Sequence, residues 1–140
     1  GWELASHSWG HINFGKRSFE DVKTDSDKWA SRVESLIGKT DILLYPFGSD
    51  VGDWHPYTME NEKYAYLHEL GFRYFCNVDS SQYWVQLGDD YLRQGRRNLD
   101  GYRMYYDLPE TNPDKDHLSD LFDVTQVFDR ERPVPVAPMN

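Results

Sequence analysis

Asp41-Ile42-Leu43-Leu44-Tyr45 is a short, continuous apolar run that breaks at once on Pro46-Phe47-Gly48. A run of this length, bounded by turn residues, reads as a strand of a parallel sheet, buried on both faces. Ahead of it, Asp25 or Ser26 can cap a helix reaching about residue 37, with Trp29, Val33, Leu36 and Ile37 on one stripe and Gly38 as its stop. Behind it, Thr58 can cap a second helix to Leu70, with Tyr64, Leu67 and Leu70 facing inward and Gly71 ending it. Residues 72–78 read as a further strand with Asp79 at its end, and residues 2–6 as the tail of an earlier one. This β-α-β-α-β order predicts an α/β fold, with parallel strands, flanking helices and right-handed crossovers. Sites in such sheets collect at the carboxyl ends of the strands. His7, His11, Phe47 and Asp79 all fall there, which predicts one active face.

The segment that precedes this frame, Glu3-Leu4-Ala5-Ser6-His7-Ser8-Trp9-Gly10-His11, carries the chemistry. On a first helical turn, residues four apart share a face, so both imidazoles can meet one cation. Imidazole suits zinc and its borderline neighbours, and a bound zinc activates water or polarises a carbonyl. Spacing alone equally describes a solvent-facing polar turn. A zincin protease is excluded, because that motif needs a glutamate directly after the first histidine and Ser8 stands there.

The run around His7 and His11 resembles the second motif of the NodB-homology polysaccharide deacetylases, carbohydrate esterase family 4, which reads His-Ser/Thr-x-x-His. Tyr45-Pro46-Phe47-Gly48 resembles that family's third motif, in which an aromatic follows proline and precedes glycine. The resemblance covers roughly residues 1–80. It implies an incomplete irregular (β/α) barrel, with His7 and His11 as ligands of a divalent metal, usually zinc, and Ser8 as a brace for their loop. It also implies that the Phe47 backbone N–H helps hold an oxyanion, a role set by backbone geometry rather than by the side chain. Tyr45 and Trp54 are then the candidate substrate-binding aromatics. The implied reaction is removal of N-acetyl groups from an N-acetylated glycan of a cell wall or exopolysaccharide.

Several parts of the family pattern are missing. Leu44 and Tyr45 stand where many members carry an orienting arginine. The Thr-Phe-Asp-Asp motif, with the base aspartate and third ligand, should precede the histidines, yet only six residues do. The general acid is unassigned: His117 sits in a polar loop without the apolar run that should introduce it, and His68 reads as a surface residue of a helix. The isolated chain is therefore expected to have little or no deacetylase activity. A non-catalytic glycan-binding domain on the same fold, or a metal-independent structural domain, is the rival reading.

Composition narrows the partners. The chain has 140 residues, enough for one domain with a real core, and is read as a single domain throughout. Fifteen basic residues against 24 acidic ones give a net charge of −9, which argues against nucleic acid or an anionic membrane surface. No apolar run approaches membrane-spanning length, and no signal peptide is visible. Gly1 in place of Met reads as a piece of a longer protein, and an extracellular or cell-envelope location follows only from the family's usual substrates. A barrel cut open would expose a strand edge, so self-association or packing against missing residues is expected. Aromatics make up 16% of the chain, which suits sugar stacking and an aromatic core alike. The single cysteine, Cys76, excludes an intrachain disulfide.

Beyond Asp79 the pattern changes. Residues 83–87 and 102–106 read as strands joined by the basic segment Arg93-Gln94-Gly95-Arg96-Arg97. Those arginines read as solvated surface, with Arg97 the alternative candidate to replace the missing orienting arginine. In the loop after Gly48, Asp53-Trp54-His55 could bring Trp54 and His55 to a sugar, or simply pack on itself. Residues 118–128 fit helix or strand, and the proline-bound tail at 132–138 reads as extended.

Overall fold

The computed structural model describes residues 1–78, 84–97, 99–111 and 118–131. Asp79, Tyr83, His117 and the proline-bound tail lie outside the described residues. The chain divides into two compact units, Gly1–Arg96 and Arg97–Asn140.

In the first unit, a four-stranded, mostly parallel open sheet has the order β1-β2-β4-β3. Strands β1 (Ile42–Leu44), β2 (Tyr74–Val78) and β4 (Leu92–Arg96) run parallel, and β3 (Val85–Leu87) pairs antiparallel with β4 at the edge. The basic segment expected as a loop is thus largely strand β4, in register with β2 from Tyr74↔Leu92 to Val78↔Arg96. The expected strand over residues 2–6 reduces to one parallel bridge, Ser6↔Leu43, with Ser6 N–H donating to Ile42 O at 2.9 Å and Leu44 N–H to Ser6 O at 2.7 Å. Trp2 and Leu4 are exposed, so no apolar burial extends the pairing further.

Two helices cover one sheet face. Helix α1 (Phe19–Trp29) starts at Ser18, not at Asp25 or Ser26: the Ser18 hydroxyl accepts from Asp21 N–H, and Glu20 and Asp21 favour the positive helix end. A π-helical turn, Ala30–Glu34, then leads into a last short turn, α2 (Ser35–Ile37). That wider turn breaks the 3.6-residue period, and Leu36 and Ile37, expected on the buried stripe, emerge exposed. Helix α3 (Glu62–Glu69) is capped by Asn61, whose side chain accepts from Lys63 and Tyr64 N–H, three residues beyond the expected Thr58. Gly38 and Gly71 sit past their helices at φ +87° and +105°, the left-handed conformation that stops a helix and favours glycine.

Val22 and Trp29 from α1 and Tyr64 and Leu67 from α3 pack on Leu43 and Phe75 of the sheet, with Phe14, Tyr45, Tyr57 and Phe72 completing the core. On the alternate positions, Ile42, Tyr74, Cys76 and Gln94 line a groove of about 840 Å³. Cys76 is buried, and that burial pushes its thiol up.

In the second unit, residues 101–106 are helix rather than strand. Asp100 caps α4 (Gly101–Tyr106) through a 2.7 Å bond from Arg103 N–H, and this cap overrides the strand preference of three tyrosines. Within residues 118–128 the helix α5 (Val124–Val127) is a single turn capped by Asp123. Leu108, Leu118 and Val124 form this unit's own small core. Arg97, considered above as an orienting arginine, donates instead to Asp120 at 2.6 Å.

Candidate metal centre

His7 directly follows the Ser6 bridge, and Phe47 lies in the turn that follows β1, so the parallel pairing of Ser6 with Leu43 delivers both to one end of the sheet. The histidines are not on a helical turn. Residues 7–12 form an irregular loop in which Ser8 and His11 take positive φ, +70° and +50°. The ring centroids of His7 and His11 lie 4.9 Å apart, edge to face, and those of His11 and Phe47 4.7 Å apart.

His7 is oriented by a 2.8 Å contact from Nδ1 to Leu44 O. A carbonyl can only accept, so Nδ1 carries the proton and Nε2 keeps the lone pair a metal would use. Ser8 braces the loop, with its hydroxyl accepting from Ile12 N–H at 3.2 Å while Ser8 N–H donates to Ser6 Oγ at 3.3 Å. Asp25, buried in the middle of α1, accepts from Trp9 N–H at 2.9 Å and from Gly10 N–H at 2.7 Å. Each non-glycine residue in the left-handed region costs about 1–2 kcal/mol. A hydrogen bond to a charged group returns about 1.5–3 kcal/mol, so the two to Asp25 can offset the strain at Ser8 and His11.

The donor set suits a divalent cation such as zinc: two imidazoles, one with its tautomer fixed by a backbone carbonyl. Among the described residues, no third His, Cys, Asp or Glu joins them.

The Phe47 turn is held from the other side. Phe47 itself takes φ +59° and is 67% exposed. Gly15 N–H donates to Ser49 O at 3.2 Å, zipping the histidine loop to the Phe47 loop. A Cβ on Gly15 would meet Ser49 Oγ at 2.5 Å and Asp50 O at 2.7 Å, so only glycine allows this approach. Lys63 reaches across from α3 to the carbonyls of Phe14 and Gly15 at 3.0 and 3.3 Å.

Asp50 anchors the Phe47 loop inward. Its Oδ2 accepts from Arg93 at 2.5 Å and from Asn77 at 2.7 Å, and its Oδ1 from Gly52 N–H at 2.6 Å. Arg93 was expected at the solvated surface, yet it is 1% exposed. Its place on β4 opposite Phe75 turns it toward the core. There it also donates to His55 O at 2.8 Å and Gln86 Oε1 at 3.1 Å, with its guanidinium 4.7 Å from the Tyr57 ring centre. Arg93 Nε and Asn77 Oδ1 have no partner among the described residues.

Tyr45, expected as a substrate-binding aromatic, is fully buried. Its backbone N–H donates to Cys76 O, and its ring is fully buried against Phe14 and Phe75, with its hydroxyl 3.2 Å from that of Tyr57. Burial, then the neighbouring Tyr57 phenol, pushes the Tyr45 phenol far up. Trp54 is accessible: it is 64% exposed and lines, with Phe47, Asn13, Lys16, Ser49 and Asp53, a groove of about 710 Å³. His55 touches the network through its carbonyl, and His68 on α3 pairs with Asp90.

The sequence reading missed Asp25 as a loop anchor and Arg93 as a core residue. Ser18-x-x-Asp21 was the available signal for the first, since a cap there places Asp25 inside the helix on the buried side with Val22 and Trp29. Alternation along β4 was the available signal for the second.

Compared with known proteins, the chain matches no family model, no curated protein and no solved structure.

Proposed function

We propose that this chain carries part of the active site of a metal-dependent hydrolase that removes N-acetyl groups from an N-acetylated glycan. The observation that carries the reading is the meeting of His7, His11 and the Phe47 turn at one end of the sheet, within ring-contact distance. His7 through Nε2, together with His11, would hold the cation. When bound, a divalent metal supplies Lewis acidity at a carbonyl and a water of lowered pKa. Leu44 O keeps the His7 imidazole oriented, Ser8 braces the loop that carries His11, and the Phe47 N–H is the donor for a developing oxyanion. Trp54 offers an exposed ring to a sugar beside that turn. A carboxylate base, the third ligand and the general acid are assigned to groups outside the described residues. On this reading, the open sheet is a segment of an irregular (β/α) barrel of the NodB type, in an extracellular or cell-envelope protein. Its uncovered strand edges favour self-association.

The alternative is a non-catalytic glycan-binding domain on the same scaffold. It is favoured by the two-residue ligand set among the described residues. Neither reading involves membrane insertion: among the described residues, no helix is long and apolar enough to cross a membrane.

Zinc titration of the chain beside His7→Ala and His11→Ala variants tests the metal, and acetate release from an N-acetylglucosamine oligomer tests the chemistry. One zinc site lost in both variants is the expected result. Retained glycan binding in a chain that holds no zinc would establish the binding-domain alternative and sink the hydrolase.

A further inference from the structure

We propose that Asp25 is a positioning residue that sets the metal affinity of the histidine pair, an assignment that rests on the metal-centre reading above. Asp25 lies in the body of α1, buried at 6% exposure, and commits both carboxylate oxygens to the main chain of the histidine loop. Its two donors, Trp9 and Gly10 N–H, are consecutive and lie between His7 and His11. The pair of bonds therefore fixes the point at which the chain turns from one ligand to the next.

The chemistry of the side chain matters. Trp9 N–H is received by Oδ2 and Gly10 N–H by Oδ1, so each donor has its own oxygen and both bonds are charge-assisted, whereas an amide in the same pose would set its NH2 against one of the two donors. A residue serving only to fill the core at this position would be apolar, as Val22 and Trp29 are on the same helix. Gly10 allows the approach: a Cβ there would lie 3.1 Å from Asp25 Oδ1, tighter than ordinary contact. The loop is also one that would not hold this shape unaided, because Ser8 and His11 both take positive φ. Without the carboxylate the loop relaxes, the rings separate, and a metal must reorder them on binding. That ordering cost appears as lost affinity.

The test is zinc affinity, measured by chelator competition on the whole chain and on Asp25→Ala, Asp25→Asn and Val22→Ala. Asp25→Ala should weaken zinc at least about tenfold, which is about 1.4 kcal/mol. Asp25→Asn, which keeps the shape and one acceptor, should fall between it and the parent. Val22→Ala removes core from the same helix and none of the loop's hydrogen bonds; it should lower the melting temperature and leave zinc affinity within about twofold, since its cost is a cavity rather than a lost anchor. If Asp25→Ala does not fold, the isosteric Asn variant decides, and faster exchange of the Trp9 and Gly10 amide protons should accompany its weaker zinc binding. Unchanged zinc affinity in a folded Asp25 variant overturns this assignment alone. Equal losses in Val22→Ala and Asp25→Ala also overturn it, because general destabilisation then explains the effect. No zinc binding by the parent chain overturns the metal reading, and this assignment with it.

Discussion

The histidine loop and the loop after Pro46 meet at the same end of the sheet and both carry strained, non-glycine residues, yet they are anchored by opposite means. Ser8 and His11 are held by a buried helix carboxylate that accepts main-chain N–H groups at the loop's surface. Phe47, Asp53 and Trp54 belong to a loop held from inside, through the Asp50–Arg93 ion pair and Asn77. In the first loop, removing the anchor frees main-chain groups that lie near solvent. In the second, it strands a charge in the core. The first anchor therefore bears mainly on the placement of the histidine pair, and the second on whether the unit folds.

The sharpest way to break that contrast is to remove Arg93. Breaking a buried ion pair leaves an uncompensated charge and costs about 3–5 kcal/mol. We expect Arg93→Ala to lower the unfolding free energy read from urea denaturation by that amount or to abolish folding. The double change Arg93→Met/Asp50→Leu should recover much of the loss, because it removes both charges together. A shift below about 1 kcal/mol in Arg93→Ala would place the pair in the range of solvated surface bridges and dissolve the contrast.

Gly15 is where the two loops are joined, so it sharpens the comparison. Gly15→Ala places a methyl against Ser49 Oγ and the Asp50 carbonyl, and should cost about 1–3 kcal/mol as overpacking. Adding Ser49→Ala should restore only part of this, since the carbonyl remains. A full restoration would mean that the side chain, and not the loop backbone, sets the approach.

The sequence made these loops legible to different degrees for physical reasons. Strand β1 is readable because its apolar run is continuous and ends at Pro46, and β2 because an aromatic-rich run begins after Gly71. The two histidines were readable as a pair, although a loop rather than a helical turn brings them together; four-residue spacing is compatible with both. Arg93 was not readable as core, because a run of basic residues signals solvent until strand alternation separates Arg93 from its neighbours. Asp25 reads as a cap because Asp and Ser favour that position, whereas the helix starts at Ser18. Tyr102, Tyr105 and Tyr106 carried a strand signal that one capping aspartate reversed.

The inner anchor also predicts a pH response. Burial raises the Tyr45 phenol far above its ordinary value, and burial with the Asp50 charge raises that of Tyr57. Folded, both keep their protons above about pH 10, where an unfolded tyrosine releases its own. The unfolded state then binds fewer protons, so this stabilisation is complete below about pH 10 and declines as pH rises further. Urea midpoints should fall from about pH 10 upward, with a shallower fall in Tyr45→Phe. Phenolate absorbance from these two residues should rise only with unfolding. A pH-independent midpoint across that range would contradict the burial of the pair.

The smallest stability effect is expected at Trp54, and there the contrast turns from folding to recognition. Its ring lies 5.7 Å from that of Trp84 and 6.0 Å from the Arg93 guanidinium, at the outer rim of the inner anchor. A partly solvated contact of this kind is worth about 0.5–1 kcal/mol, so Trp54→Ala should barely move the urea midpoint. The exposed ring and its positive φ, +70°, are a poor return for stability alone, whereas a ring beside the Phe47 groove is well placed to stack on a sugar. Losing one aromatic contact should weaken binding of an N-acetylglucosamine oligomer by up to about tenfold, as the usual worth of such a contact implies. Unaltered oligomer binding together with a large loss of stability would assign Trp54 to the anchor, and leave Phe47 as the groove's exposed aromatic.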